Sequence, residues 1–191
     1  MNDNPKFTII AGVNGSGKTT FALDYFKNSQ TIFINADLIA TGLSPHNPDV
    51  SQFVAGKLMV QKIKESIKNK VDFAVETTLA SKNYLKIIKQ LKQDNWQINM
   101  IYLYLPSVDL SIDRVAERVK NGGHNIKLED IKRRYDRSIN YLINDYSALI
   151  DDIICLDNSD NRNMVFTKNN NKIKIGNQIV YDNILEYKNA G

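Results

Sequence analysis

The chain has 191 residues, 42% of them hydrophobic, and its 25 Lys and Arg against 21 Asp and Glu give a formal charge of +4. That suits one domain with a sizeable core, and the mild, dispersed basic excess suits a phosphorylated ligand but argues for no nucleic-acid partner. The single cysteine, Cys155, excludes an intrachain disulfide and lies in an apolar run, as a buried structural thiol would.

The opening MNDNPK lacks the regions of a signal peptide and no apolar run approaches membrane-spanning length, so a soluble, cytoplasmic protein without a membrane partner is expected. Phe7–Ala11 is fully apolar, as in a buried central parallel strand. It runs into Gly12-Val13-Asn14-Gly15-Ser16-Gly17-Lys18-Thr19, which meets the spacing G-x-x-x-x-G-K-[ST] in full between a predicted strand and a predicted helix. Glycines let the backbone curl so that successive N–H groups face phosphate oxygens, and the next helix adds its positive dipole end. Gly12, Asn14, Gly15, Ser16, Gly17, Lys18, Thr19 and Thr20 are therefore the expected ATP-binding residues. Lys18 is expected at the β- and γ-phosphates, and the Thr19 hydroxyl on Mg²⁺.

A helix is predicted from Gly17 to Lys27, with Phe21, Ala22, Tyr25 and Phe26 inward, then a strand over Thr31–Asn35 and a loop over Thr41–Asn47. Asn47 caps a helix with Pro48 at its first position. That helix runs to Lys70 and carries Val50, Phe53, Val54, Val60, Ile63 and Ile67 at helical spacing. Asp72–Glu76 is the third strand, Ser81 caps a helix carrying Tyr84, Leu85, Ile88 and Leu91, and Ile98–Leu105 is the fourth strand. Val108, Ile112, Val115 and Val119 mark a helix that Gly122-Gly123-His124 breaks, and a second helix runs from Leu128 to Ile150. Asp152–Leu156 is the fifth strand. The alternation predicts a three-layer α/β fold of the P-loop NTPase kind, with a parallel five-stranded sheet and a helical lid. Beyond Ser159, Met164–Thr167, Lys172–Ile175 and Gln178–Tyr181 read as pieces of a small β-hairpin or meander. The expected division is a kinase-like domain over 1–160 and a C-terminal appendage over 161–191.

Five groups of residues could carry chemistry. Asp37 follows the second strand, where open α/β sheets place their sites; it is either a base for an attacking hydroxyl or a turn aspartate. Glu76 ends a buried strand, the position of an acid that holds Mg²⁺ or a substrate hydroxyl, with Thr77 and Thr78 able to donate to the same ligand; alternatively all three simply mark a strand end. Arg114, Arg118, Arg133, Arg134 and Arg137 flank the glycine break, as arginines of a lid over a transferring phosphoryl group would. Two or three of them are expected instead to pair on the surface with Glu117, Glu129, Asp130 and Asp136, and Arg118 and Arg134 lie closest to the break. His124 reads as a hinge residue, a surface residue or a phosphate contact; with His46 the only other histidine, no His-based metal site is expected. Asp157-Asn158-Ser159 is either an adenine contact or a plain turn.

These blocks, in this order, resemble the zeta toxin-like P-loop kinases: GVNGSGKTT, INADLIATGLSP, VETTLAS, YLYLPSVDLSIDRVAERVKNGGHNI, IKRRYDRS and LDNS. More narrowly the chain is similar to the short bacterial proteins labelled zeta toxin family or predicted ABC-type ATPase. The resemblance covers Lys6 to Ser159 and implies a fold close to nucleotide and shikimate-type kinases. It also implies ATP- and Mg²⁺-dependent phosphorylation of the 3′-hydroxyl of UDP-N-acetylglucosamine, and a small antitoxin protein covering the ATP site. Carried over by motif, Lys18 and Thr19 take phosphate and Mg²⁺, Asp37 is the general base, Glu76 and Thr78 bind the substrate, and Arg118 and Arg134 reach the γ-phosphate. The other readings are a kinase of a nucleotide, nucleoside or antibiotic hydroxyl, and an ATP-binding interaction module.

Overall fold

In the computed structural model, which describes residues 4–123 and 125–189, seven strands form one sheet in the order β2-β3-β1-β4-β5-β6-β7. β1 (Lys6–Gly12), β2 (Ile32–Ile34), β3 (Phe73–Thr77), β4 (Gln97–Tyr104) and β5 (Asp152–Asp157) are the five expected parallel strands. The expected hairpin, β6 (Asn163–Asn169) and β7 (Lys172–Ile175), pairs antiparallel along β5, so it lengthens the same sheet to seven strands. β1 lies between β3 and β4, at the point where connections leave to opposite sides, and a crevice opens there beyond the strand ends.

The two faces of the sheet are covered unequally, and β1 and β4 record this. Phe7, Ile9, Ala11, Ile98, Met100 and Tyr102 point to one face and are all buried. Helices α3 (Gln52–Lys68), α4 (Leu85–Gln93), α6 (Leu128–Tyr141) and α7 (Gln178–Glu186) supply the packing there through Ile63, Ile88, Leu91, Ile139 and Ile184. On the other face Ile10, Ile101 and Leu103 are buried with Phe21 and Ala22 of α1 (Lys18–Tyr25). An eight-residue helix is only about 12 Å long. It covers the later halves of the strands, and Thr8 and Asn99, nearer their starts, line a shallow groove with Ile154 and Thr167. The chain thus places polar residues where its own short helix does not reach.

Several local expectations change. Residues expected as loop from Thr41 belong to α2 (Ala36–Leu43), whose first turn is held by Asn35 Oδ1 accepting from Leu38 N at 2.9 Å. The helix expected from Asn47 begins as a 3₁₀ turn at Pro48–Ser51 before α3, which turns Ala55, Ile63 and Ser66 inward. Val50, Phe53, Val54 and Val60, which share the helical spacing of Ile63 and Ile67, are exposed, Phe53 by 74%. Ser81 does not cap α4, which starts at Leu85; the Ser81 carbonyl instead accepts from Tyr146 Oη at 2.8 Å. Finally, Gln178–Tyr181 is not a strand but the start of α7, capped by Asn177 Oδ1 accepting from Val180 N at 3.2 Å. The helix expected to Ile150 closes at Tyr141 and continues as a wide π turn over Leu142–Tyr146. Cys155 is fully buried, and burial pushes its thiol pKa up. Among the described residues no helix is long and apolar enough to cross a membrane.

Candidate functional site

The glycine-rich turn sits where β1 ends. Gly12 has φ 144°, and a Cβ there would lie 2.3 Å from the Leu103 carbonyl oxygen of β4, so no larger residue fits. Gly17 enters α1 in the left-handed region with φ 79°. The first helical bond of α1 runs from Phe21 N to Gly17 O at 2.9 Å, so the amides of Lys18, Thr19 and Thr20 have no acceptor within the helix. Neighbouring elements brace the turn from outside. Ser111 Oγ, on α5 (Val108–Lys120), donates to Asn14 O at 2.6 Å, and Asn158 Nδ2 donates to Ser16 O at 2.7 Å. Arg114 in turn donates to the carbonyls of Asn158 and Ser159 at 2.8 and 2.6 Å.

A cleft of about 220 Å³ opens beside the turn. Asn14, Gly15, Lys18, Thr19, Asp37, Glu76, Thr77, Thr78, Arg118 and Arg134 all line it, joined by Asn35, Ala36 and Ile126. Of the expected phosphate residues, Gly12, Ser16, Gly17 and Thr20 lie outside this lining: Ser16 is fully buried beneath the turn, and Thr20 is exposed. Glu76 arrives because β3 runs parallel to β1, in register with Ile10. Thr19 Oγ1 donates to Glu76 Oε2 at 2.8 Å, and Asn35 Nδ2 donates to the same oxygen at 2.5 Å. Asp37 lies in the first turn of α2, where an anion faces the positive end of the helix, and Gln52 Nε2 approaches its carboxylate at 3.4 Å.

Lys18 is 7% exposed, and its Nζ donates to Val13 O at 2.9 Å. Burial pushes its pKa down to about 8, Glu76 and Asp37 oppose that shift, and Arg118 and Arg134 add to it. Four charged groups from four elements thus act on one ammonium. Backbone geometry ends α5: Gly122 has φ 82°, and Gly123 N donates to Arg118 O at 2.9 Å. The Gly-Gly pair therefore stops α5 and leaves Arg118 in its last turn, facing the cleft. Of the remaining arginines, Arg114 holds the Asn158 loop, Arg133 pairs with Asp130 and Arg137 is exposed. His124 lies outside the described residues.

Among the described residues no cluster of three or more His, Cys, Asp or Glu could hold a metal. A hydroxyl and a carboxylate in hydrogen-bond contact beside a phosphate-type turn nonetheless fit Mg²⁺, which shares few protein oxygens with substrate phosphates. Asn35 and Gln52 were not singled out from sequence. Asn35 stands at a strand end, and its spacing to Leu38 is that of a helix cap, a signal present in the sequence.

A family model described as zeta toxin matches residues 1–171. An uncharacterized protein of Haemophilus influenzae is 30% identical over 130 residues, covering 68% of this chain and 92% of its own. The crystal structure of AvrRxo1-ORF1:AvrRxo1-ORF2 with sulphate ions is similar with TM-score 0.70 at 12% identity, over 98% of this chain and 65% of that one. The same pair solved with ATP gives 0.65 at 13% identity over 98% and 65%. This chain thus spans 65% of the length of those solved chains. The PezAT chromosomal toxin-antitoxin system of Streptococcus pneumoniae is similar with TM-score 0.59 at 18% identity, over 87% of this chain and 72% of that one. At these identities the structural likenesses are likenesses of fold.

Proposed function

The chain belongs to the zeta toxin family, and from that premise we propose that it is an ATP- and Mg²⁺-dependent phosphotransferase acting on a small-molecule hydroxyl, with UDP-N-acetylglucosamine as the acceptor. The observation that carries the chemistry is the convergence of Lys18, Thr19, Glu76, Asp37, Arg118 and Arg134 on one cleft. What supports the acceptor is family membership.

In this reading the turn and the start of α1 hold the ATP phosphates through backbone amides. Lys18 exchanges its Val13 carbonyl for phosphate oxygens. Asp37 accepts the proton of the acceptor hydroxyl, whose oxygen then bonds to the γ-phosphorus as the bond to ADP breaks. Arg118 and Arg134 stabilise charge on the equatorial oxygens, and Thr78 hydrogen-bonds the acceptor beside Glu76. Thr19 and Glu76 are the residues that would hold Mg²⁺, which when bound neutralises phosphate charge.

The test is phosphorus NMR of the protein with Mg²⁺-ATP, with and without UDP-N-acetylglucosamine. A new phosphomonoester signal is expected, and Asp37→Asn should lower its rate at least about 100-fold while leaving ATP affinity within about twofold. Release of free phosphate alone, unchanged by the sugar, would rule out this acceptor. A toxin role with an antitoxin partner is part of the proposal, supported by the exposed Val50 in the 3₁₀ turn and Phe53 and Val54 in the first turn of α3 as surface for a protein to cover. Expression should then arrest growth, and the same Asp37→Asn variant should not.

A further inference from the structure

We infer that Asn35 is a positioning residue of this centre: it ties the acid at the end of β3 to the helix that carries Asp37, and so sets where Glu76 stands against Thr19. The inference rests on the phosphotransfer reading for its purpose, and on hydrogen bonds for its substance.

Both halves of the Asn35 amide are engaged. Nδ2 donates to Glu76 Oε2 at 2.5 Å, and Oδ1 accepts from Leu38 N at 2.9 Å. The residue is 5% exposed, so water competes little for either bond. The orientation of the amide follows from chemistry: turned over, its oxygen would face a carboxylate and its NH₂ would face an N–H. Thr19 completes the set by donating to the same Glu76 oxygen at 2.8 Å. Three side chains from α1, the β2–α2 junction and β3 are joined in one network.

Capping alone does not account for asparagine. Ser, Thr and Asp cap helices about as well. None of them does both jobs here: a carboxylate only accepts, and a hydroxyl is too short to span from the cap to Glu76. The primary amide is the group that caps α2 and donates to the acid at once. Its consequence is directional. Asn35 Nδ2 and Thr19 Oγ1 donate to the same Glu76 oxygen, so Asn35 keeps the carboxylate on Thr19, where a cation would need it.

The test compares ATP affinity by calorimetry with Mg²⁺ and with EDTA, for the full-length chain and for Asn35→Ser, with Asn35→Thr as a bulkier second variant. Both variants keep a capping hydroxyl. The expected result is a melting temperature within about three degrees and a metal-free ATP affinity within about twofold. The gain in affinity from Mg²⁺ should fall about tenfold, the size typical of losing a group that orients a metal ligand. A folded variant that keeps the whole Mg²⁺ gain overturns the inference, because capping is then all that Asn35 does. Parallel losses of melting temperature and metal-free affinity in both variants also overturn it, as does wild-type protein that gains nothing from Mg²⁺. Failure of the phosphotransfer reading shows up separately, as wild-type protein that gains affinity from Mg²⁺ yet phosphorylates no hydroxyl compound.

Discussion

Lys18 shows how a single residue couples burial to ligand charge. Its pKa stands near 8 in the folded chain because burial disfavours the ammonium. The unfolded chain therefore holds more protons between about pH 8 and the ordinary lysine value near 10.4. The burial penalty is at its full size below pH 8 and fades as pH rises toward that ordinary value. ATP reverses the balance, since phosphate oxygens favour the charged form. Binding at pH 9 should then take up close to one proton, seen as a dependence of the calorimetric heat on the ionisation enthalpy of the buffer. Affinity should fall by up to about tenfold per pH unit between 8 and 10. Lys18→Met should remove the proton uptake, and a variant that retains it would assign the uptake to another group.

At the scale of elements, the turn is held by parts distant in sequence. Asn158 follows β5, yet its amide donates to Ser16 O at 2.7 Å and is itself fixed through Arg114. Asn158→Ala should leave melting nearly unchanged, since one such bond is worth about 1 kcal/mol net. It should weaken ATP binding with and without Mg²⁺ equally, by about three- to tenfold, because it loosens the phosphate turn itself. Isothermal titration in both conditions would check this, and a loss confined to Mg²⁺-ATP would contradict it. The same scale explains what could be read in advance. β1, β3 and β4 are largely apolar runs buried on both sides over much of their length, and such runs announce themselves; β5 is apolar as well but buried on one side only, through Ile153 and Cys155. The phosphate turn is legible because its backbone path demands fixed glycine spacing. α2 was hidden because it has eight residues, an internal Gly42 and one buried side chain, Ala40. α7 was hidden because Ile-Val-Tyr is β-branched and aromatic, as in a strand, while Tyr181 and Ile184 meet the core at helical spacing. The outward turn of Val50, Phe53 and Val54 was illegible, because periodicity marks an apolar stripe without saying what covers it. Asn35 went unseen for another reason: its partner Glu76 is 41 residues away, and only the parallel pairing of β2 with β3 brings them together.

For the molecule as a whole, the question is whether the last thirty residues are separable from the part that holds the cleft. β5 is an interior strand, bonded to β4 on one edge and to β6 on the other. Val165, Phe166 and Ile184 are at most 3% exposed and share one core cluster with Cys155, Tyr102 and Tyr146. Phe166 also meets Tyr181 edge-on, with ring centroids 5.2 Å apart. Losing the burial of three such side chains removes about 2 kcal/mol each, against a net stability of about 5–15 kcal/mol for a typical domain. The cut would also bare the apolar face of β5 and its hydrogen-bonding edge, and that edge invites association with other chains. A chain ending at Asp160 should therefore aggregate or melt without a cooperative transition, and should not bind ATP. The measurement is scanning calorimetry with size-exclusion chromatography on the 1–160 fragment. A soluble, cooperatively melting fragment with unchanged ATP affinity would show that β6, β7 and α7 are an addition to the kinase-like core, and that the cluster they share is peripheral to its stability.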